Sequence, residues 1–298
     1  MKYLKKILLF LFIVFVLDYL IAGLLLFGIN RFYGLNQHSQ ILLIGHSHLM
    51  LAVDKEKLEK QTGLSVSKYT REGVTVEDKY VMVKQFLSLP YSDSLQIVMY
   101  GVDAFTFSTG DLSENSYTLF FPFMENKIMN NYIRENATSA YNYWIHKIFR
   151  TSRYSDALIN AAGRGLLSNW SNFKYGTVDV NQVNRNREIV IDPQTLSIFK
   201  ETIDLITARG IKVVLVNTPI VDIMIESQLE QYQEVVDIFS GLSKNNPLIE
   251  YWDFNHPPYS TDYSLFFDGI HLNPKGQMII TEKIISRINQ LNDKNIYD

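Results

Sequence analysis

The chain has 298 residues, 47% of them hydrophobic and 20% charged, with a formal net charge of −3. That is enough for one large domain with a sizeable core, or two small ones. The near-neutral balance gives nucleic acid no electrostatic footprint. The absence of cysteine excludes disulfides and thiolate chemistry and leaves zinc only His and carboxylate ligands.

The first element is a membrane segment. Lys2, Lys5 and Lys6 precede Ile7 to Phe27, an apolar run broken only by Asp18, Tyr19 and Gly23. Its length suits a helix crossing the hydrocarbon core. No small-x-small cleavage site follows, so residues 1–34 read as an uncleaved anchor. The lysines keep the N-terminus cytoplasmic and put the main domain in the periplasm or outside the cell. Asp18 is the odd residue, because a carboxylate in a lipid-facing helix costs ~2.5–3.5 kcal/mol. It is either protonated or tolerated near mid-membrane, or it faces a polar site on a membrane partner.

Strands and helices then alternate. Gln40 to Gly45 reads as a strand, Asp54 to Thr62 as a helix capped by Asp54, and Ser65 to Thr70 as a strand. Val76 to Leu89 has helical spacing and stops at Pro90, and Leu95 to Val102 is a buried strand. Later come a helix at Pro193 to Arg209, a strand at Lys212 to Asn217, a helix at Gln228 to Leu242, a strand at Leu248 to Phe254 and a helix at Pro274 to Leu291. Five strands alternating with helices predict an α/β protein with a parallel sheet covered on both faces, in three α/β/α layers. Such sheets carry their sites at the strand C-terminal ends, where Ser47, Gly73, Asp103 and Asn217 fall. The stretch at about 110–192 breaks the rhythm with many aromatics, among them Tyr117, Phe121, Tyr141, Trp144 and Trp170. It reads as a helical insertion that either packs on the main domain or forms a lid or a sugar-stacking surface.

Asp268-Gly269-Ile270-His271-Leu272-Asn273 stands just ahead of Pro274 and a helical pattern. An Asp three residues before a His can put both side chains at one loop-to-helix junction, which suits a His base oriented by a carboxylate. A Ser hydroxyl needs such a base to become a nucleophile. Ile41 to Gly45 reads as a buried strand that stops and presents Ser47, flanked by His46 and His48. His46 and His48 either line the substrate pocket or, with His271 and Asp268, hold a metal ion. Asn217 is a further pocket candidate. The residues call for no cofactor and no metal as the leading reading.

A Ser after the first strand with Asp-x-x-His near the end resembles the SGNH/GDSL hydrolase superfamily, and Gly45-His46-Ser47-His48 looks like its membrane-anchored, DltD-like branch. The resemblance spans roughly Gln40 to Leu291 apart from the insertion. It implies a flavodoxin-like sheet and a hydrolase-like domain over residues 35–298, with Ser47, His271 and Asp268 as the catalytic residues. The oxyanion hole would be Ser47, Gly73 and the position of Asp103. The family has Gly-x-Asn-Asp at that third position, whereas this chain reads Gly101-Val102-Asp103-Ala104, and an ionised Asp would repel an oxyanion. The implied activity is that of a serine-dependent acyl esterase or O-acyltransferase, O-acetyl in specificity, on cell-envelope or exported polysaccharide. Its ligand would be an acylated glycan or acyl donor, and a multi-spanning membrane O-acyltransferase would contact the anchor at Asp18. The competing expectations are a catalytically weak glycan-binding or scaffold subunit of an acylation complex, and a metal-dependent phosphoesterase using His46, His48 and His271.

Overall fold

The structure, a computed structural model, describes residues 2–108 and 115–297, with side chains through 291. The start of the expected insertion at 110 lies outside the described residues. The chain divides into two compact units. One contains residues 1–36 and 114–170, and the other residues 37–113 and 171–298.

In the first unit, α1 runs from Lys2 to Tyr33 and is long and apolar enough to cross a membrane.

The second unit begins with β1 (Ile41–Gly45), α2 (Ser47–Ala52), α3 (Lys55–Thr62), β2 (Val66–Thr70), α4 (Val76–Leu87) and β3 (Ile97–Val102). The chain then supplies three helices to the first unit, namely α5 (Lys127–Asn136), α6 (Ala140–Ile148) and α7 (Asp156–Leu166). It returns to the second unit through α8 (Pro193–Thr207), β4 (Lys212–Asn217), α9 (Leu229–Asn245), β5 (Ile249–Asp253) and α10 (Pro274–Tyr297). The five strands are all parallel, in the order β2-β1-β3-β4-β5, which is the flavodoxin-like order. α2, α3 and α10 pack together, as do α4 and α8, so helices cover both faces. Covered faces explain why β1, β2 and β3 are buried at every position and read as continuous rather than alternating runs.

Local chemistry sets the element ends. Asp54 accepts from Lys57 N at 3.1 Å and caps α3, which Gly63 ends in the left-handed region at φ 71°. Thr75 and Asp78 form a reciprocal capping box at the start of α4. Leu49 of α2 sits over the glycines of two adjacent strands. A Cβ on Gly101 would come within 2.9 Å of Leu49 Cβ, and one on Gly45 within 3.1 Å. Both strands lack side chains at that point, so α2 lies close against the sheet and carries Ser47 with it.

The first unit is built around α1. Asp18 Oδ2 accepts from Arg150 N at 2.7 Å, and Asp18 Oδ1 accepts from Thr151 N at 2.9 Å and Thr151 Oγ1 at 2.5 Å. Tyr154 donates to Ala22 O at 2.9 Å, and Phe15 stacks on Phe149 at 5.7 Å. α7 then runs alongside α1 with Gly28 and Gly165 in contact, where any side chain would strike backbone. The carboxylate's hydrogen bonds are therefore met inside the unit, and a membrane partner would have to use other faces of α1. Six aromatics of this stretch form the unit's own core: Tyr117, Phe120, Phe121, Phe123, Tyr143 and Tyr154 are buried. Residues 171–192, the last part of the stretch expected as helices with loops, form coil with one short 3-10 turn (Val180–Gln182) and belong to the second unit.

Candidate active site

Ser47 is the first residue of α2, directly past the C-terminal end of β1. His46 caps this helix, its Nδ1 accepting from His48 N at 3.2 Å. Ser47 Oγ lies 2.7 Å from His271 Nε2, across 224 residues of sequence. His271 Nδ1 lies 2.8 Å from Asp268 Oδ2. An ionised carboxylate only accepts, so Nδ1 carries the imidazole proton and Nε2 is left to accept the Ser47 hydroxyl. The Asp-x-x-His spacing works because Asp268 folds the turn around itself, its Oδ1 accepting from Ile270 N at 3.0 Å and His271 N at 2.9 Å. Burial alone would raise the Asp268 carboxyl. The hydrogen bond to His271 and those from the two backbone amides outweigh it and hold the group below its usual range. Asn273 ends the motif, accepting from Lys275 N at 3.0 Å at the start of α10 and donating to Ser264 O at 2.9 Å.

The triad opens into a cavity of about 450 Å³ whose wall includes Ser47, Gly73, Lys79, Asp103, Arg187 and Asp268. Gly73 sits there in the left-handed region, at φ 74°. The N–H groups of the first turn of α2 have no partner within the helix; His48 N is taken by His46 Nδ1, and Ser47 and Gly73 both line the cavity. Asp103 also reaches the cavity, but its carboxylate is committed elsewhere. Oδ1 accepts from Phe105 N at 2.8 Å, while Oδ2 lies 3.1 Å from His46 Nε2 and 2.8 Å from His48 Nδ1. Against the expectation for the third oxyanion position, it offers no donor, because both of its oxygens serve as acceptors.

This cluster holds its charge on the aspartate. Burial would raise the Asp103 carboxyl, but the two imidazoles beside it hold it well below the ordinary range. Burial pushes His46 down to about 3, with His48 adding to the effect and Asp103 opposing it. Burial lowers His48 as well. His46 Nδ1 accepts from a backbone amide, so its proton is on Nε2, facing Asp103. One atom each of His46, His48 and Asp103 lies within 4.8 Å of the others, near enough to share an ion. This set contains neither His271 nor Asp268, which are engaged in the triad, so the donor set expected for a metal is not the one assembled. The proton on His46 Nε2 and the ammonium of Lys79 in the same cavity wall both oppose a cation there.

His46 and His48 line the cavity, whereas Asn217 does not. Asn217 is buried and donates at 3.0 Å to Tyr232 Oη, Tyr251 Oη and Asp253 Oδ1, so it ties β4 to β5 instead of meeting substrate. Two cations on the cavity wall escaped sequence reasoning. Lys79 is buried on α4, donates to Gly101 O at 3.3 Å and lies 4.6 Å from the Tyr100 ring centre. Burial brings its ammonium down to about 8, with Asp103 opposing. The sequence signal for it was a Lys at the core spacing Val76, Lys79, Val83. Arg187 lies in the coil after α7, 4.2 Å from the Phe105 ring centre. The neighbouring strand of coil is pinned by Gln228, which donates to Arg187 O and accepts from Ile189 N, both at 2.8 Å. No periodicity marks that segment.

No protein-family model matches the chain, and no curated protein matches it either. Among solved structures, it is similar to one described as an acylhydrolase from Bacteroides fragilis, at 12% identity and a TM-score of 0.43, covering 86% of this chain and 89% of that one. A second is described as a platelet activating factor from Streptococcus pneumonia, at 10% identity and a TM-score of 0.38, covering 88% and 91%. A third is an active-site mutant of a family two carbohydrate esterase from Clostridium thermocellum, at 11% identity and a TM-score of 0.36, covering 86% and 65%.

Proposed function

We propose that this protein is a membrane-anchored, extracytoplasmic serine esterase or O-acyltransferase acting on acylated polysaccharide of the cell envelope or an exported glycan. The observation that carries the reading is the connected set Ser47 Oγ to His271 Nε2 at 2.7 Å and His271 Nδ1 to Asp268 at 2.8 Å. In the first half-reaction Ser47 Oγ attacks the ester carbonyl while His271 Nε2 takes its proton, and Asp268 stabilises the imidazolium. The oxyanion is met by the backbone N–H groups of Ser47 and Gly73. The tetrahedral adduct collapses by breaking the bond to the leaving alkoxide, which takes the proton from His271, and an acyl-Ser47 remains. Water or a sugar hydroxyl then attacks that ester by the same route. Hydrolysis results in the first case and acyl transfer in the second.

The glycan substrate, the DltD-like placement and a multi-spanning O-acyltransferase partner rest on the sequence resemblance. α1 supports the anchor, since Asp18 and Gly28 are built into the packing of residues 115–170 and a cleaved leader would not be. The test is intact-mass analysis of the full chain in detergent after exposure to a fluorophosphonate. One adduct is expected, absent from Ser47→Ala and His271→Ala. No adduct on folded protein would move the weight to a second reading, a glycan-binding or scaffold subunit. That reading is favoured by Asp103 standing where the superfamily has an amide donor.

A further inference from the structure

The first unit has its polarity inverted along α6. Tyr141, Trp144 and Ile148 fall at helical spacing on one face, and all three are exposed, Trp144 at 58%. Phe149, which follows the helix, is also exposed. The polar groups of the same helix turn inward. Tyr143 Oη donates to Asn130 Oδ1 at 2.9 Å, Lys147 Nζ donates to Met124 O at 3.2 Å, and the His146 ring stacks on Phe121 at 4.1 Å with its Nδ1 2.9 Å from Ser152 Oγ. A helix on the surface of a water-soluble unit shows the opposite arrangement. α5 has the ordinary one, with Lys127, Arg134 and Glu135 exposed and Met129 and Ile133 buried.

The inverted face lies next to α1. Phe149 stacks on Phe15, and the turn after α6 receives the Asp18 carboxylate. Asp18 is twelve residues beyond Lys6, roughly 18 Å along the helix, and Leu17, Leu20, Ile21 and Leu24 around it are exposed and apolar. The apolar surfaces of α1 and α6 are therefore continuous. A non-helical turn at membrane depth is tolerated where its backbone groups find partners within the protein. Asp18 supplies those partners for Arg150 N and Thr151 N. Three cations beside this turn share one carboxylate: Glu125 lies 3.0 Å from Arg153, 3.5 Å from Arg150 and 3.7 Å from Lys147. Trp, Tyr, Lys and Arg together are the side chains of a membrane interface.

We propose that residues 115–170 form a monotopic collar around the anchor, with the Tyr141, Trp144, Ile148 and Phe149 face immersed in the outer leaflet and α5 turned to water. The occupant of the exposed face is phospholipid. On this account Asp18 is a structural acceptor that lets the collar enter the bilayer. The inference rests on α1 spanning a membrane, and the experiment separates the two.

The full chain is reconstituted in phosphatidylcholine vesicles with and without brominated acyl chains, and tryptophan emission is compared. One variant keeps Trp144 alone (Trp170→Phe, Trp252→Phe). A second has all three tryptophans replaced by Phe and carries Phe12→Trp as a reporter of the anchor. Both are expected to lose at least half of their emission in brominated vesicles, with Trp144 also shielded from aqueous iodide. Quenching of the Phe12→Trp reporter with no quenching of Trp144 would overturn the collar and leave the anchor standing. Quenching of neither would overturn both. Because Trp170 lies 3.4 Å from Arg31 O and its loss can disturb packing, the wild type is compared with the single surface variant Trp144→Phe. The wild type should lose the larger share of its emission, and equal losses would also overturn the collar.

Discussion

Ser47 Oγ and His271 Nε2 lie 2.7 Å apart although 224 residues separate them, because the end of β1 and the start of α10 meet at the C-terminal end of the strands. If the two act as one unit with Asp268, their losses will not add. Ser47→Ala and His271→Ala should each lower kcat on a small activated ester by on the order of 10⁶-fold, and the double variant should be no worse. Asp268→Asn should cost roughly 10⁴-fold or less, since that side chain is 41% exposed and water can partly replace it. Multiplying losses in the double variant would show that the residues work separately.

The buried imidazoles predict an acid-sensitive fold. His46 sits at about 3 in the folded protein against an ordinary 6.5, and His48 is lowered too. Between those values the unfolded chain holds more protons than the folded one, so stability rises with pH across that window and falls on acidification from about 6.5 toward 3. The slope is up to about 1.4 kcal/mol per pH unit for each such group. Asp103 and Asp268 have lowered carboxyls, so their stabilisation is present above the usual carboxylate range and is lost only below it. Urea midpoints measured at pH 4, 5, 6 and 7 should decline toward pH 4, and His46→Gln should flatten the decline. An unchanged slope in that variant would assign the effect elsewhere.

Gly101 predicts how closely α2 must approach the sheet. Gly101→Ala brings a Cβ within 2.9 Å of Leu49, at a cost of about 1–3 kcal/mol. As Leu49 is two residues from Ser47, kcat should fall along with the melting temperature. A variant that is destabilised but fully active would mean that the Ser47 position tolerates movement of α2.

Prolonged dialysis against a chelator should leave esterase activity unchanged. The triad is complete in itself, and the His46, His48 and Asp103 atoms already have hydrogen-bond or ion-pair partners beside a buried Lys79. Loss of activity restored by zinc would reassign this cluster as a metal centre.

Asp18→Leu should improve the hydropathy of α1 and yet weaken the first unit. It leaves Arg150 N, Thr151 N and Thr151 Oγ1 without their acceptor, and an unmet buried donor costs about 1–3 kcal/mol. Limited proteolysis of the full chain in detergent should then cut first between residues 115 and 170, while fluorophosphonate labelling of Ser47 persists. Unchanged protease resistance would show that the contact is dispensable.

The sheet was readable from the chain because each strand is an apolar run between helix signals, and burial on both faces makes such runs continuous. β4 and the starts of α4, α8 and α10 are observed at the predicted residues, α3 and α9 start one residue later, and the other strands are one or two residues shorter. That Asp268, His271 and Ser47 could meet was readable because a Ser, His and Asp set requires fixed residue types at strand and helix junctions, and the three side chains are in contact. The sequence could not say where Asp103 points, since the same carboxylate can face an oxyanion or a pair of imidazoles and only packing decides. Nor could it find Arg187, whose place on the cavity wall depends on a coil held by Gln228. Asn217 at a strand end looked like a site residue until the neighbouring strand brought Tyr251 and Asp253 to it. Asp18 was visible as an anomaly of charge within an apolar run, but its acceptor role depends on a turn 132 residues away. Local pattern records which residues must be buried or cap an element. The partner of a buried polar group is chosen by the three-dimensional packing that desolvates it, and neighbours in sequence do not reveal that packing.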